Sequence, residues 1–80
     1  MVTAYVLIKI GTGDSANWLK VTQEEIAKIP GVTEVYGIFG RFDIIAKVTV
    51  NSLSDLSTKV IDDIRGVTGV KSTETFVVAF

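Results

Sequence analysis

The sequence predicts a single α+β domain, with four strands and two helices in the order βαββαβ, one antiparallel sheet and both helices on one of its faces. Three observations lead there. Runs of β-branched and aromatic residues alternate with two stretches of helical periodicity. Glycines punctuate most of the junctions between them. The chain has 80 residues, enough for one domain (1–80) and no more.

Val2 to Ile10 reads as the first strand, and Gly11-Thr12-Gly13-Asp14 breaks it. From Ser15 to Ile29, Trp18, Leu19, Thr22, Ile26 and Ile29 fall on one side of a helical wheel. Lys20, Gln23, Glu24, Ala27 and Lys28 fall on the other, which predicts an amphipathic helix. Pro30-Gly31 ends it. Val32 to Phe39 and Phe42 to Val50 read as the second and third strands. Only Gly40-Arg41 separates them, which suits a two-residue hairpin with glycine at positive φ. Ser52 opens the second helix, with Asp55 three residues on as a weak capping box. Leu53, Leu56, Val60 and Ile64 follow as one stripe, and Gly66 stands where a C-terminal glycine cap belongs. Val70 to Phe80 is the last strand. This order is the ferredoxin-like, or split βαβ, arrangement. An internal echo fits it: Ile29-Pro30-Gly31-Val32-Thr33-Glu34-Val35 recurs as Ile64-Arg65-Gly66-Val67-Thr68-Gly69-Val70, each copy at a helix-to-strand handover.

Composition narrows the function classes. Hydrophobic residues make up 48% of the chain and its mean hydropathy is +0.45. That is rich for a domain that buries only about 60% of its unfolded surface. No apolar run approaches the roughly 20 residues of a membrane span, and Met1 to Ile8 lacks a basic leader. Net charge is −1, from eight basic and nine acidic residues spread along the chain, so no footprint for a phosphate backbone forms. Without cysteine there is no disulfide, thiolate nucleophile or zinc–thiolate site. Without histidine the commonest general base and metal ligand is gone. The expectation is a cytoplasmic protein with no catalytic residues, no metal and no cofactor.

Pairing Phe39 with Phe42 across the turn sets the hairpin register. Val35, Gly37, Phe39, Phe42, Ile44, Ala46 and Val48 then face the helices. Glu34, Tyr36, Ile38, Asp43, Ile45, Lys47 and Thr49 face away, with Glu34 opposite Lys47. If Ala4, Val6 and Ile8 point inward, Tyr5 and Leu7 join the outer face. Tyr5, Leu7, Tyr36, Ile38 and Ile45 make an apolar patch too large to leave wet. Each contributes roughly 1.5–3 kcal/mol on burial. Face-to-face stacking of two sheets in a two-fold dimer, as in dimeric α/β barrels, would bury them. The alternative is an aromatic-dotted surface that tolerates water.

Four segments carry a family likeness: Ala4-Tyr5-Val6-Leu7-Ile8-Lys9-Ile10, Ile29-Pro30-Gly31-Val32, Gly40-Arg41-Phe42-Asp43-Ile44-Ile45-Ala46-Lys47-Val48 and Thr73-Glu74-Thr75-Phe76. In order and spacing they resemble the effector domain of leucine-responsive (Lrp/AsnC-type) transcriptional regulators, the regulation-of-amino-acid-metabolism (RAM) domain. The most specific piece is Gly-x-Phe/Tyr-Asp at Gly40 to Asp43. The resemblance implies sheet-stacked dimers, their assembly into tetramers, octamers or decamers, and a small effector, a free amino acid, bound between dimers. Those regulators usually carry an N-terminal helix-turn-helix domain, whereas this sequence starts at the first strand of the effector domain. The expectation is therefore a likeness to stand-alone members, without direct DNA binding, and with full-length Lrp/AsnC-type regulators as candidate partners.

The candidate effector-binding residues are Tyr36, Ile38, Gly40, Arg41, Phe42, Asp43, Ser72, Thr73 and Thr75. A carboxylate wants clustered N–H donors, which a tight turn at Gly40-Arg41 can supply, with Arg41 as a further contact. The ammonium wants an acceptor such as Asp43. Ser72, Thr73 and Thr75 resemble the threonine-containing last strand of the family and would complete the polar shell. Tyr36, Ile38 and Phe42 would line the side-chain pocket. The same turn also reads simply as a good hairpin, with Gly for the bend, Phe for the core and Asp bonding a loop amide. Thr73 and Thr75 equally suit strand propensity, and Trp18 suits a core or interface. Glu74 falls among apolar neighbours with no evident role.

Rival readings lack their residues. Acylphosphatase-type catalysis needs an arginine-bearing phosphate loop where Gly11-Thr12-Gly13-Asp14 stands. Isomerases and monooxygenases of the dimeric α/β-barrel type often use histidine, and Asp43 with Arg41 is thin for acid–base work. An RNA-binding sheet needs aromatics interleaved with basic residues, and a metal chaperone needs a cysteine pair. A ligand-independent assembly partner of full-length regulators stays open.

Overall fold

The computed structural model describes residues 1–11 and 16–80, with side chains in the first helix from Trp18 onward. Strand β1 (Val2–Ile10) leads to helix α1 (Ala16–Ala27), the hairpin β2 (Val32–Gly37) and β3 (Ile44–Val50), a second helix α2 (53–65), and β4 (Val70–Val77). The sheet runs β2-β3-β1-β4 with every pair antiparallel. This is the predicted ferredoxin-like βαββαβ order. The break after Gly11 and the helix start at Ser15 lie outside the described residues. Among the described residues no helix is long and apolar enough to cross a membrane.

Alternation decides the core. Ala4, Val6 and Ile8 of β1 and Ile44, Ala46 and Val48 of β3 are fully buried, against Ile26 of α1 and Leu56, Val60, Ile61 and Ile64 of α2. Both helices thus cover one face. Helix α2 opens as expected, with Ser52 Oγ accepting from the Asp55 N–H at 3.1 Å. Its middle, Leu56–Val60, is π-helical, and the Ile61 N–H reaches back five residues to the Leu56 carbonyl. The wider turn takes a smaller angular step per residue, so adjacent Val60 and Ile61 both stay buried. Leu53, expected on the stripe, is instead exposed, because its capped first turn precedes the segment that meets the sheet.

Other expectations are corrected. Helix α1 ends at Ala27, two residues early, where Lys28 and Ile29 tighten into i→i−3 bonds of 3.2 and 3.1 Å. Gln23, placed on the water side, donates from Nε2 to the Val35 carbonyl at 3.2 Å. Gly66 caps α2 as expected, its N–H donating to Asp62 O at 3.0 Å, but it keeps a helical φ of −77°; the left-handed residue is Gly69, at φ 100°. Ile29 N–H to Ile26 O and Val32 N–H to Ile29 O, both 3.1 Å, recur as Val67 to Ile64 at 3.1 Å and Val70 to Val67 at 3.2 Å. With Gly31 also at φ 100°, the structural repeat pairs Gly31 with Gly69 rather than with Gly66.

The hairpin register is the one counted from sequence: Glu34 faces Lys47, Tyr36 faces Ile45 and Gly37 faces Ile44, with a bulge before Glu34. The turn is not the two-residue one. Ile38 N–H to Asp43 O, 2.9 Å, is the last ladder bond, and residues 39–42 form the tip with Gly40 at φ 139°. Phe39, predicted to face the helices, stands fully in solvent. Leu19 and Gln23 of α1 lie within 4 Å of where a Cβ on Gly37 would stand, two residues before Phe39. Strand β4 stops at Val77, three residues early, and Val78 N–H adds one bond to Thr3 O at 2.8 Å.

A Cβ on Gly69 would sit 2.7 Å from Trp18 Nε1, whereas one on Gly40 would meet nothing within 4 Å. Both carry positive φ, which strains an alanine by about 1–3 kcal/mol. Gly69→Ala adds overpacking of about 1–3 kcal/mol. Urea unfolding should show Gly69→Ala to be clearly the more destabilised of the two; equal midpoints would contradict the Trp18 packing.

Candidate functional site

The uncovered face is built by cross-strand rows. Tyr36, Ile45, Leu7 and Glu74 form one row, and Glu34, Lys47, Tyr5 and Phe76 the next. Leu7 and Ile45 are half-buried by their neighbours, while Tyr5, Phe76 and Tyr36 (55% exposed) stand open. Phe76 is a member of this patch that sequence reasoning missed, although alternation from Glu74 places it there. Glu74 stands opposite Leu7 on the edge strand, exposed to water, and makes no ion pair among the described residues.

Polar groups rim the patch. Tyr36 Oη donates to Glu34 Oε1 at 2.7 Å, and Lys47 Nζ lies 3.5 Å from Glu34 Oε2. The Tyr36 hydrogen bond, helped by Lys47, holds the Glu34 carboxyl below its ordinary pKa. The same bond and the Glu34 charge push the Tyr36 phenol above its own.

Asp43 has a structural task. Its N–H donates to Ile8 O at 2.9 Å, its Oδ2 accepts from Ile10 N–H at 2.8 Å, and Lys9 Nζ lies 3.6 Å from the same oxygen. The β1–β3 ladder ends at Ile8 and Ile44. With the hairpin tip turned away, the carboxylate supplies the acceptor that Ile10 would otherwise lack.

The predicted effector residues fall into two groups. Gly40, Arg41, Phe42 and Asp43 gather at the tip, beside Ile38 and, one row in, Tyr36; Arg41 is exposed and Phe42 half-buried. Ser72, Thr73 and Thr75 lie on β4. Ser72 pairs with Lys9 and shares the open face, whereas Thr73 and Thr75 pair with Ile8 and Val6 and point to the helix side. Within one chain Lys9 stands between Asp43 and Ser72. Two strand spacings, roughly 10 Å, separate them, more than the adjacent ammonium and carboxylate of one amino acid can bridge.

Concavities lie elsewhere, one of about 460 Å³ beside Pro30, Gly31 and Lys59 among them. A groove of about 520 Å³ between the helices is lined by Trp18, Val21, Thr22, Glu25, Asp62 and Asp63, none of them a predicted site residue. A cleft of about 360 Å³ joins Arg65 and Lys71 to Val70, Ser72 and Thr73. Neither cation was singled out by sequence, since nothing in their spacing shows that α2 delivers Arg65 beside β4. No cluster of three or more metal-ligating side chains occurs among the described residues.

A four-stranded antiparallel sheet with both helices on one face and the other face open defines the chain as a small ferredoxin-like α+β domain. Residues 3–79 match the family model described as the Lrp/AsnC ligand binding domain, and the chain belongs to that family. It is 40% identical over 75 residues to an uncharacterized helix-turn-helix-type transcriptional regulator of Pyrococcus abyssi, covering 94% of this chain and 49% of that one. The chain thus spans about half the length of the curated relatives it matches. A Thermus thermophilus crystal structure superposes with a TM-score of 0.83 at 35% identity, over 98% of this chain and 92% of the other. A transcriptional regulator of Neisseria meningitidis, solved as an L-Met complex, shares the fold with a TM-score of 0.80 at 18% identity, over 99% of this chain and 50% of that one.

The Glu34 pair has a pH signature. A depressed carboxyl pKa contributes stability above its ordinary value and loses it as pH falls through the folded value. A raised phenol pKa contributes below its ordinary value and loses it as pH rises through the folded one. The stability gap between wild type and Tyr36→Phe should therefore be widest near neutral pH and shrink at both extremes. In the variant, the Glu34 carboxyl followed by ¹³C NMR should titrate closer to its ordinary value.

Proposed function

We propose that this domain is a non-catalytic receptor for a free amino acid, binding it between copies of the chain so that occupancy biases the assembly of a transcriptional regulator. The observation that carries this is the division of the candidate residues. The tip and the β4 hydroxyls are too far apart to meet around one amino acid within a single chain. A second copy, presenting its β4 beside the tip, would complete the shell. The open apolar face supports self-association through Tyr5, Leu7, Tyr36, Ile38 and Ile45, and sheet stacking would give the dimer from which tetramers, octamers or decamers grow. The L-Met bound by the Neisseria meningitidis regulator supports the effector class. The names of the relatives support the link to transcription.

In this reading the Gly40-Arg41 amides take the carboxylate, and the Asp43 carboxylate faces the ammonium while still holding Ile10. Tyr36, Ile38 and Phe42 contact the effector side chain, and Ser72, Thr73 and Thr75 come from the neighbouring copy. One observation favours a second reading: Asp43 is already engaged by Ile10 N–H and Lys9. A ligand-independent assembly module, joining full-length Lrp/AsnC-type regulators through the same faces, would leave that arrangement undisturbed.

Thermal-shift measurements with each of the twenty amino acids at millimolar concentration separate the two. The receptor reading expects a raised Tm for at least one, since a ligand at 100 times its Kd stabilises by about 2.7 kcal/mol. Asp43→Asn keeps an acceptor for Ile10 but removes the charge facing the ammonium, and should abolish that rise. Silence for all twenty favours the assembly module. Independently, Ile45→Lys places a charge in the centre of the open face and should lower the sedimenting mass; an unchanged assembly would rule out sheet stacking.

A further inference from the structure

We propose that the cleft between the C-terminal end of α2 and the edge strand β4 is a binding site for a small oxyanion, the carboxylate or phosphate of a metabolite-sized ligand. Charge gives the first reason. The ion pairs of the described residues join Lys9 to Asp43, Lys28 to Glu25, Lys47 to Glu34 and Lys59 to Asp55. Arg65 and Lys71 make none among those residues, yet both line this one cleft with the hydroxyl residues Ser72 and Thr73. Asp62 lies one helical turn before Arg65, at a spacing that permits an ion pair, and still does not take one.

Geometry gives the second. Arg65 Nε donates to Thr73 Oγ1 at 3.5 Å, a long bond that holds the guanidinium against β4 and leaves the rest of its fork free. Having accepted from Arg65, the Thr73 hydroxyl retains a proton to donate. Lys71 is the extra residue of a bulge: the β1–β4 register passes from Lys9–Ser72 to Ile10–Val70 and leaves it unpaired. It packs so closely on Gly11 that a Cβ there would lie 2.8 Å from its own. The backbone that carries Lys71 is thereby fixed beside the cleft. The negative end of α2 accounts for a cation at Arg65; it does not account for Lys71. A volume of about 360 Å³ suits a small ligand, with Val70 as its apolar wall.

The site lies on the β4 edge, away from the hairpin tip of the same chain; it shares Ser72 and Thr73 with the amino-acid receptor reading, and Asp43, which only that reading uses, tells the two apart. The test is a ¹⁵N NMR titration of the full chain with sodium phosphate, sodium acetate and glycine, each at constant ionic strength against chloride. Saturable shifts are expected at the Arg65 Nε–H and the amides of Lys71, Ser72 and Thr73. Arg65→Gln and Lys71→Gln should each weaken binding roughly tenfold, as loss of a charge-assisted hydrogen bond does, whereas Asp43→Asn should titrate like wild type. Saturation by phosphate alone identifies a phosphate ligand, and saturation by acetate and glycine identifies a carboxylate. Shifts that stay linear in concentration, or that survive the double variant Arg65→Gln/Lys71→Gln, would overturn the site. Loss of the response in Asp43→Asn would also overturn it, by returning the anion to the hairpin tip.

Discussion

The sheet has two apolar faces and helices for only one, and the rest of the molecule depends on that asymmetry. Ala4, Val6, Ile8, Ile44, Ala46 and Val48 are sealed by α1 and α2. The alternate residues of the same strands, Tyr5, Leu7 and Ile45, meet no helix, and Tyr36 and Phe76 extend them across all four strands. A strand cannot present an apolar face inward without also committing its alternate positions outward. An apolar residue at those positions is a choice the core does not require. Helix α2 goes to unusual lengths to complete the covered side, underwinding through Leu56–Val60 so that adjacent residues reach the core. Nothing comparable is spent on the other side, which stays open.

Asp43 ties the candidate site to that core. One carboxylate oxygen closes the end of β1 through Ile10 and draws Lys9 toward it, while its own N–H continues the ladder to Ile8. The hairpin tip is thus hinged on the central strand pair rather than hanging free. The outward residues of β1 that this hydrogen bond helps to place, Tyr5 and Leu7, belong to the open face.

The sequence read well where one local rule governed. Strand β1, the Ser52 cap and the hairpin register followed from alternation, capping chemistry and counting. It read less well at ends. Phe39 and Leu53 obey the apolar period but stand exposed at the ends of their elements, and periodicity carries no information about where a neighbour stops. The echo around Gly31 was real but misregistered: Gly66 matches in letters, and Gly69 matches in conformation. The candidate site shared this limit. The Gly40 to Asp43 motif stood out in the chain, whereas Arg65 and Lys71 did not, because a helix end and a strand bulge bring them together.

By itself, then, the sequence determined the order of elements, the alternation of β1 and β3 between the two sheet faces and the likeness to the family, since each is written in short-range spacing. Tertiary structure alone decided that Asp43 serves Ile10, that Thr73 and Thr75 point away from the hairpin tip's face, and that Arg65 and Lys71, without an ion pair among the described residues, share a cleft. Those facts depend on strand order and on where one element ends against another. Both are set by packing between residues far apart in the chain, which local pattern does not encode.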